Sequence, residues 1–224
     1  MTWKLVPIAA LAAAGMAYAA DAVDRIPVAT EVFKEVMATP DKAIPQDLLG
    51  RAQCVVIVPG LKKGAFILGA KYGRGFVNCR KSGGVGWSAP GSIRVEGGSF
   101  GFQIGGAEVD VIMLIMNKRG VDRLFGSKFT LGGDASVAAG PVGRTASAET
   151  DAAMTAEILT WSRTRGLFAG ISLNGATLRA DEDWNRELYG RKIKLKEILV
   201  GGELRMPETA RPLIAELNRY SSRK

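Results

Sequence analysis

A chain of 224 residues is long enough for one domain with a sizeable core and cramped for two. Its 30 basic and 22 acidic residues give a net charge of +8, and it contains no histidine. That absence removes the Ser-His-Asp and Cys-His arrangements, histidine-containing zinc sites and histidine-ligated haem, and with them most enzyme classes.

At the start of the chain, Lys4 precedes the apolar stretch Leu5 to Met16 and then Ala17-Tyr18-Ala19, a small-x-small cleavage pattern. The pattern predicts a signal peptide over 1–19 and an exported protein, periplasmic or envelope-associated, or secreted. The run is shorter than the roughly 20 residues that span a bilayer. A basic surface in an exported protein points to anionic phospholipid headgroups or a membrane surface, not to nucleic acid.

Residues 20–43 read as an N-terminal amphipathic helical segment. Asp24 and Pro27 mark its start, and Val28, Ala29, Val32, Phe33, Val36 and Met37 recur at helical spacing opposite Glu31, Lys34 and Glu35. Its apolar face either packs on a sheet or meets a membrane. Ala38-Thr39-Pro40 ends it, and Ile44-Pro45 opens a second short helix through Leu49.

Strands follow. Cys54 to Val58 is closed by Pro59-Gly60, and Ala65 to Ala70, Gly75 to Asn78 and Val85 to Ser88 continue the pattern, the last after a Gly83-Gly84 turn. A strand pair is expected from Ser92 to Glu96 and from Ser99 to Ile104, broken at Gly97-Gly98. Val109 to Met116 is apolar on both faces apart from Asp110, which predicts a central strand covered on both sides. Lys118 to Phe125 suggests a short helix. Lys128 to Leu131, Ser136 to Ala139 and Met154 to Ser162 return to strand, and Leu167 to Leu173 with Ala176 to Leu178 reads as a hairpin about Asn174-Gly175. Helices close the chain at Asp183 to Tyr189, Leu195 to Leu199 and Glu208 to Tyr220. With 28 glycines and no collagen-like period, the fold class is α+β: a strongly curved, mainly antiparallel glycine-rich sheet framed by N- and C-terminal helices.

Few residues carry chemistry. Gly97-Gly98-Ser99-Phe100-Gly101 matches the G-x-S-x-G nucleophile elbow by letter, but the serine has no histidine partner. Catalytic residues, cofactors and metal ligands are therefore expected to be none. Cys54 and Cys79 either pair in an oxidising compartment or stay as buried thiols, and their spacing leaves both open. Asp110 is costly to bury unless paired, so it is a polar strut or an anchor inside a ligand cavity. Asp134 and Arg144, which bracket Gly140 to Gly143, are read in the same way.

Basic residues cluster three times: Lys62 and Lys63 at an expected loop tip, Arg163 and Arg165 beside Trp161, and Lys192, Lys194 and Lys196 interleaved with Ile193 and Leu195. These seven are the candidate lipid-binding residues. Each cation near an anionic surface contributes roughly 1 kcal/mol, and Leu61, Trp161 or the Val28 to Met37 helix would add shallow insertion.

Taken together, Ile44 to Leu49, Val58-Pro59, Trp87-Ser88-Ala89-Pro90, Gly101 to Gly105, Asp110, Gly133 to Arg144, Ser162 to Gly170, Asn185 and Tyr189-Gly190 closely resemble the SYLF domain family. The likeness covers about 44–202, flanked by a C-terminal helix over 203–224. It implies a non-enzymatic lipid-binding domain, with phosphoinositides and other anionic membranes as ligands in eukaryotic members and actin as a partner in some fungal ones. The leader-like segment places this chain with exported bacterial members, for which actin is not an expected partner. The alternative is a scaffold that binds another envelope protein or self-associates.

Overall fold

The computed structural model describes residues 21–39, 43–65, 68–100, 105–141, 155–164, 167–168, 173–201 and 204–221. The signal peptide expected over 1–19 lies outside them, as do Arg144 and Arg165.

Nine strands form one curled sheet: β1 (Cys54–Ala65), β2 (Leu68–Cys79), β3 (Gly91–Phe100), β4 (Gly105–Ile115), β5 (Phe129–Thr130), β6 (Val137–Ala139), β7 (Ile158–Thr164), β8 (Leu167–Phe168) and β9 (Thr177–Ala180). Their order is β5-β9-β3-β2-β1-β4-β7-β6, with β8 paired to β7. Every pairing is antiparallel except β6 with β7. The helices are α1 (Ala22–Ala38), α2 (Gln46–Arg51), α3 (Lys118–Leu124), α4 (Glu182–Tyr189), α5 (Leu195–Val200) and α6 (Arg211–Ser221). The α+β expectation of a curved sheet with helices at both ends therefore holds.

The period of two along each strand divides the apolar residues between two cores. On β4, Val109, Val111, Met113 and Ile115 join the core completed by Leu124 of α3 and Leu195, Ile198 and Leu199 of α5. Ile112 and Leu114 point the other way, to Phe33 of α1, Leu49 of α2, Trp184 of α4 and Leu213 and Leu217 of α6. β4 is thus the doubly covered central strand that its sequence predicts.

Local signals set the helix ends. Asn117 caps α3 by accepting from the Gly120 N–H at 2.9 Å, and Asp181 caps α4 by accepting from the Trp184 N–H at 3.2 Å. Gly190, at φ +66°, ends α4 in the left-handed conformation.

Several boundaries differ from expectation. Helix α1 begins before Pro27, because Ala22 and Ile26 are already buried, whereas Val28 stays 42% exposed. Its apolar face is filled by the sheet and α6, so the helix as folded has no such face to offer a membrane. β1 does not stop at Pro59-Gly60 but bulges there, with Gly60 at φ +58°, and runs on to Ala65. β3 passes through Gly97-Gly98 unbroken. The hairpin expected at Asn174-Gly175 is not one, since β8 pairs with β7 while β9 pairs with β3 and β5. Turn residues mark a reversal without choosing the partner, and here both edges of β9 are taken by β3 and β5.

Cys54 and Cys79 face each other across β1 and β2 and form a disulfide. Of the two outcomes left open by spacing, register selects this one.

Candidate functional site

The bulge in β1 builds a cleft. Gly60 donates its N–H to Asp110 Oδ1 at 2.9 Å, and a Cβ on Gly60 would lie 2.3 Å from the Glu108 carboxylate, so no other residue fits there without displacing it. Asp110 Oδ2 lies 3.0 Å from Arg163 Nη2, and Arg163 also pairs with Glu35 of α1. From the helix side, Arg25 Nη2 donates to the Pro59 carbonyl at 2.8 Å. Arg25, Pro59, Gly60, Glu108, Asp110 and Arg163, with Val28 and Thr164, line a cleft of about 670 Å³ between α1, the bulge of β1, the start of β4 and the end of β7. Asp110 is therefore both a strut and a wall of a cavity.

The other predicted residues are dispersed. Arg163, with 11% of its side chain exposed, is committed to two carboxylates. Trp161 beside it is buried, its indole packed where a Cβ on Gly140 would sit and its Nε1 donating to the Pro141 carbonyl at 3.0 Å. Leu61 is buried as well, so neither apolar residue is available for insertion. Asp134 is no internal strut. It is exposed, its Oδ2 accepts from the Thr130 N–H at 2.7 Å, and that hydrogen bond holds its carboxyl below the usual range.

Lys62 and Lys63 are strand residues, not a loop tip: Lys62 lies opposite Tyr72 and Glu108, and Lys63 opposite Lys71 and Ala107. Two lysines directly opposed cost stability. Burial, and then Lys63, lower the proton affinity of Lys71. Lys192 and Lys194 alternate with buried Ile193 and Leu195, and Lys196 Nζ sits 6.0 Å from the Phe125 ring centroid. Helix α5 anchors this second group at the start of β3, where Leu195 meets Gly91. The Lys62 end of the sheet is about five strand residues away, roughly 17 Å.

Lys71, Arg25 and Glu108 were not among the predicted residues. Lys71 had a signal: antiparallel strands that follow one another in the chain set residues equally far from their connection opposite each other, as Lys63 and Lys71 are. Arg25 and Glu108 had none, because only the packing of α1 over the bulge brings them together. Among the described residues no cluster of three or more Cys, Asp or Glu has the arrangement of a metal site, and no helix is long and apolar enough to cross a membrane.

The family described as "Ysc84: Las17-binding protein actin regulator" matches residues 96–220. SH3 domain-containing YSC84-like protein 1 of Xenopus laevis is 38% identical over 187 residues, covering 82% of this chain and 55% of that protein. The Homo sapiens protein of the same name is 36% identical over 178 residues, covering 79% and 50%. LAS seventeen-binding protein 3 of Saccharomyces cerevisiae is 36% identical over 182 residues, covering 79% and 39%. The chain thus spans about half the length of the curated relatives it matches, or less. Their names refer to a domain, a resemblance or a binding partner, not to a reaction.

Two expectations are corrected by these relatives. They are eukaryotic proteins, from organisms without a periplasm, which overturns the assignment to a bacterial periplasm or envelope and with it the envelope protein as partner. The family's description as an actin regulator overturns the exclusion of actin. The physical reason is common to both: a short apolar run fixes hydropathy and not an address, and a basic surface does not distinguish phospholipid from other polyanionic surfaces.

Proposed function

The chain belongs to the Ysc84, or SYLF, family, and from that premise we propose that it is a non-enzymatic domain that attaches peripherally to anionic phospholipid through the lysine-bearing end of its sheet. One observation carries this reading: where β1 runs past the buried Leu61, Lys62 is exposed and Lys63 half-buried, side by side at one end of the sheet, with the buried Lys71 opposite Lys63. Each cation near an anionic surface gains roughly 1 kcal/mol, so the two neighbouring lysines of β1 favour such a surface together. Co-sedimentation with phosphatidylcholine vesicles doped with phosphatidylglycerol tests it. Binding should rise with phosphatidylglycerol and fall with salt, as expected for exposed charges beyond a Debye length. Binding that ignores both variables, or survives Lys62→Ala with Lys63→Ala, removes the reading.

The family's description favours a second reading, an actin-pathway protein as partner. Co-sedimentation with filamentous actin, and pull-down with purified Las17, decide it, and retention by neither eliminates it.

A further inference from the structure

Two residues along β2 from Tyr72, which faces Lys62, the sheet register aligns three arginines that stand far apart in sequence. Arg74 of β2 lies directly opposite Arg94 of β3, which lies directly opposite Arg179 of β9. Adjacent strands are about 4.8 Å apart, so three guanidinium stems rise from one face within about 10 Å. Like charges placed opposite one another destabilise a sheet.

Two carboxylates answer these three cations. Glu96, one row along, lies 2.8 Å from Arg179 Nη2 and 3.3 Å from Arg94 Nε. The Arg179 hydrogen bond first, and then the charges of Arg179, Arg94 and Arg74, hold its carboxyl below the usual range. Asp181, fully buried and already capping α4, lies 3.0 Å from Arg74 Nε. Arg74 and Arg94 thus make their ion pairs through Nε, and among the described residues no hydrogen bond uses the outer nitrogens of either. The row is reachable: Arg74, Arg94 and Arg179 side chains are 27%, 23% and 37% exposed. Trp184 lies under Arg74, and Tyr72, 44% exposed, borders the row with its hydroxyl accepting from Arg74 Nε at 2.9 Å.

By contrast, Arg80 is a structural arginine. It stacks on Trp87 at 3.9 Å and donates to the carbonyls of Leu49, Gly50 and Ser221. Nothing comparable occupies the outer nitrogens of Arg94.

We propose that Arg74, Arg94 and Arg179 form a binding site for a phosphomonoester dianion, with Glu96 as the internal carboxylate that the ligand displaces. A terminal phosphoryl group offers three oxygens and close to two negative charges to three guanidinium forks, whereas a phosphodiester offers two oxygens and one charge. A soluble phosphate ester and a lipid headgroup carry the same chemistry. The site is built from other residues than the lysine-bearing end, which it borders through Tyr72 opposite Lys62, so variants of each set test the two readings separately.

The test titrates the full chain calorimetrically with inorganic phosphate and glycerol 3-phosphate, and with dimethyl phosphate as the diester control. In parallel it compares sedimentation with vesicles carrying phosphatidic acid or phosphatidylglycerol at matched surface charge. Arg94→Gln should weaken monoester binding at least about tenfold, about 1.4 kcal/mol. Glu96→Gln should strengthen it, a gain that misfolding cannot imitate. Lys62→Ala with Lys63→Ala should weaken soluble phosphate binding far less than Arg94→Gln does while reducing attachment to phosphatidylglycerol vesicles, which separates failure of this site from failure of the lysine surface. Binding of the soluble esters identifies a soluble source, and a preference for phosphatidic acid without it identifies a lipid source. The proposal is overturned if neither monoester arm binds more tightly than its diester control, or if Glu96→Gln fails to raise affinity.

Discussion

The same strands are two different structures along their length. Between Cys54 and Val58, β1 is buried on both faces, sending Val55 and Ile57 to one core and Cys54, Val56 and Val58 to the other. Past the bulge at Pro59-Gly60 it carries Lys62, Lys63 and Gly64, and β2 beside it carries Lys71, Tyr72 and Arg74. In the first half a residue is placed by the surface it hides. In the second, backbone pairing places exposed Lys62 and Tyr72 beside the buried Lys71. The buried half supplies the stability of the molecule, the proposed recognition falls on the other half, and that division can be attacked from either side.

The largest effect belongs to the buried half. Phe76→Ala, which empties a fully buried site stacked on Trp184 at 5.8 Å, should cost about 3–5 kcal/mol in denaturant unfolding. A loss under about 1 kcal/mol contradicts the packing described. Next, replacing Cys54 and Cys79 by alanine opens a cross-link spanning 25 residues and should cost about 2–4 kcal/mol, provided the reduced chain gains no compensating structure. At the boundary, Asp110→Asn keeps the shape of the strut and weakens its ion pair with Arg163. It should cost about 1–2 kcal/mol, since the site is partly solvated. In the open half Lys63→Ala should change stability by no more than about 0.5 kcal/mol, or raise it by relieving Lys71, while reducing vesicle attachment.

The smallest effects appear only with pH, and the two halves answer to opposite ends of the scale. Tyr189 donates to the Pro90 carbonyl at 2.6 Å, and burial pushes its phenol well above the ordinary 10.0. Its contribution is complete below about pH 10 and is lost as the pH rises above that value, because the unfolded chain ionises first. Glu96 has the reverse sign. Its depressed carboxyl contributes above about pH 4.5 and loses that contribution as the pH falls through its lower folded value. Unfolding curves against pH should therefore lose part of their alkaline limb in Tyr189→Phe and part of their acid limb in Glu96→Gln. An unchanged limb in either variant refutes the corresponding assignment.

The sequence was most legible where burial decides. The Val109 to Met116 run announced a central strand, and Ala210, Leu213 and Leu217 announced the last helix, since each pattern reflects which faces are covered. It was least legible where recognition is proposed. Lys62-Lys63 after Pro59-Gly60 suggested a loop tip, yet a bulge carries the strand through, because the paired β4 backbone on one side and β2 on the other satisfy its hydrogen bonds. The arginine row had no signal at all, with Arg74 separated from Arg179 by the whole of β3, β4 and β7.

By itself the sequence determined the class of fold, its family likeness, and the lack of histidine chemistry, because composition and periodicity are properties of the chain. Only the tertiary structure decided that Cys54 meets Cys79, that Asp110 holds Arg163 under α1, and that three arginines share one row. Each of these depends on strand register, and register is set by how the whole sheet buries its two cores. Shifting any pairing by a single residue would turn every side chain on that strand to the other face.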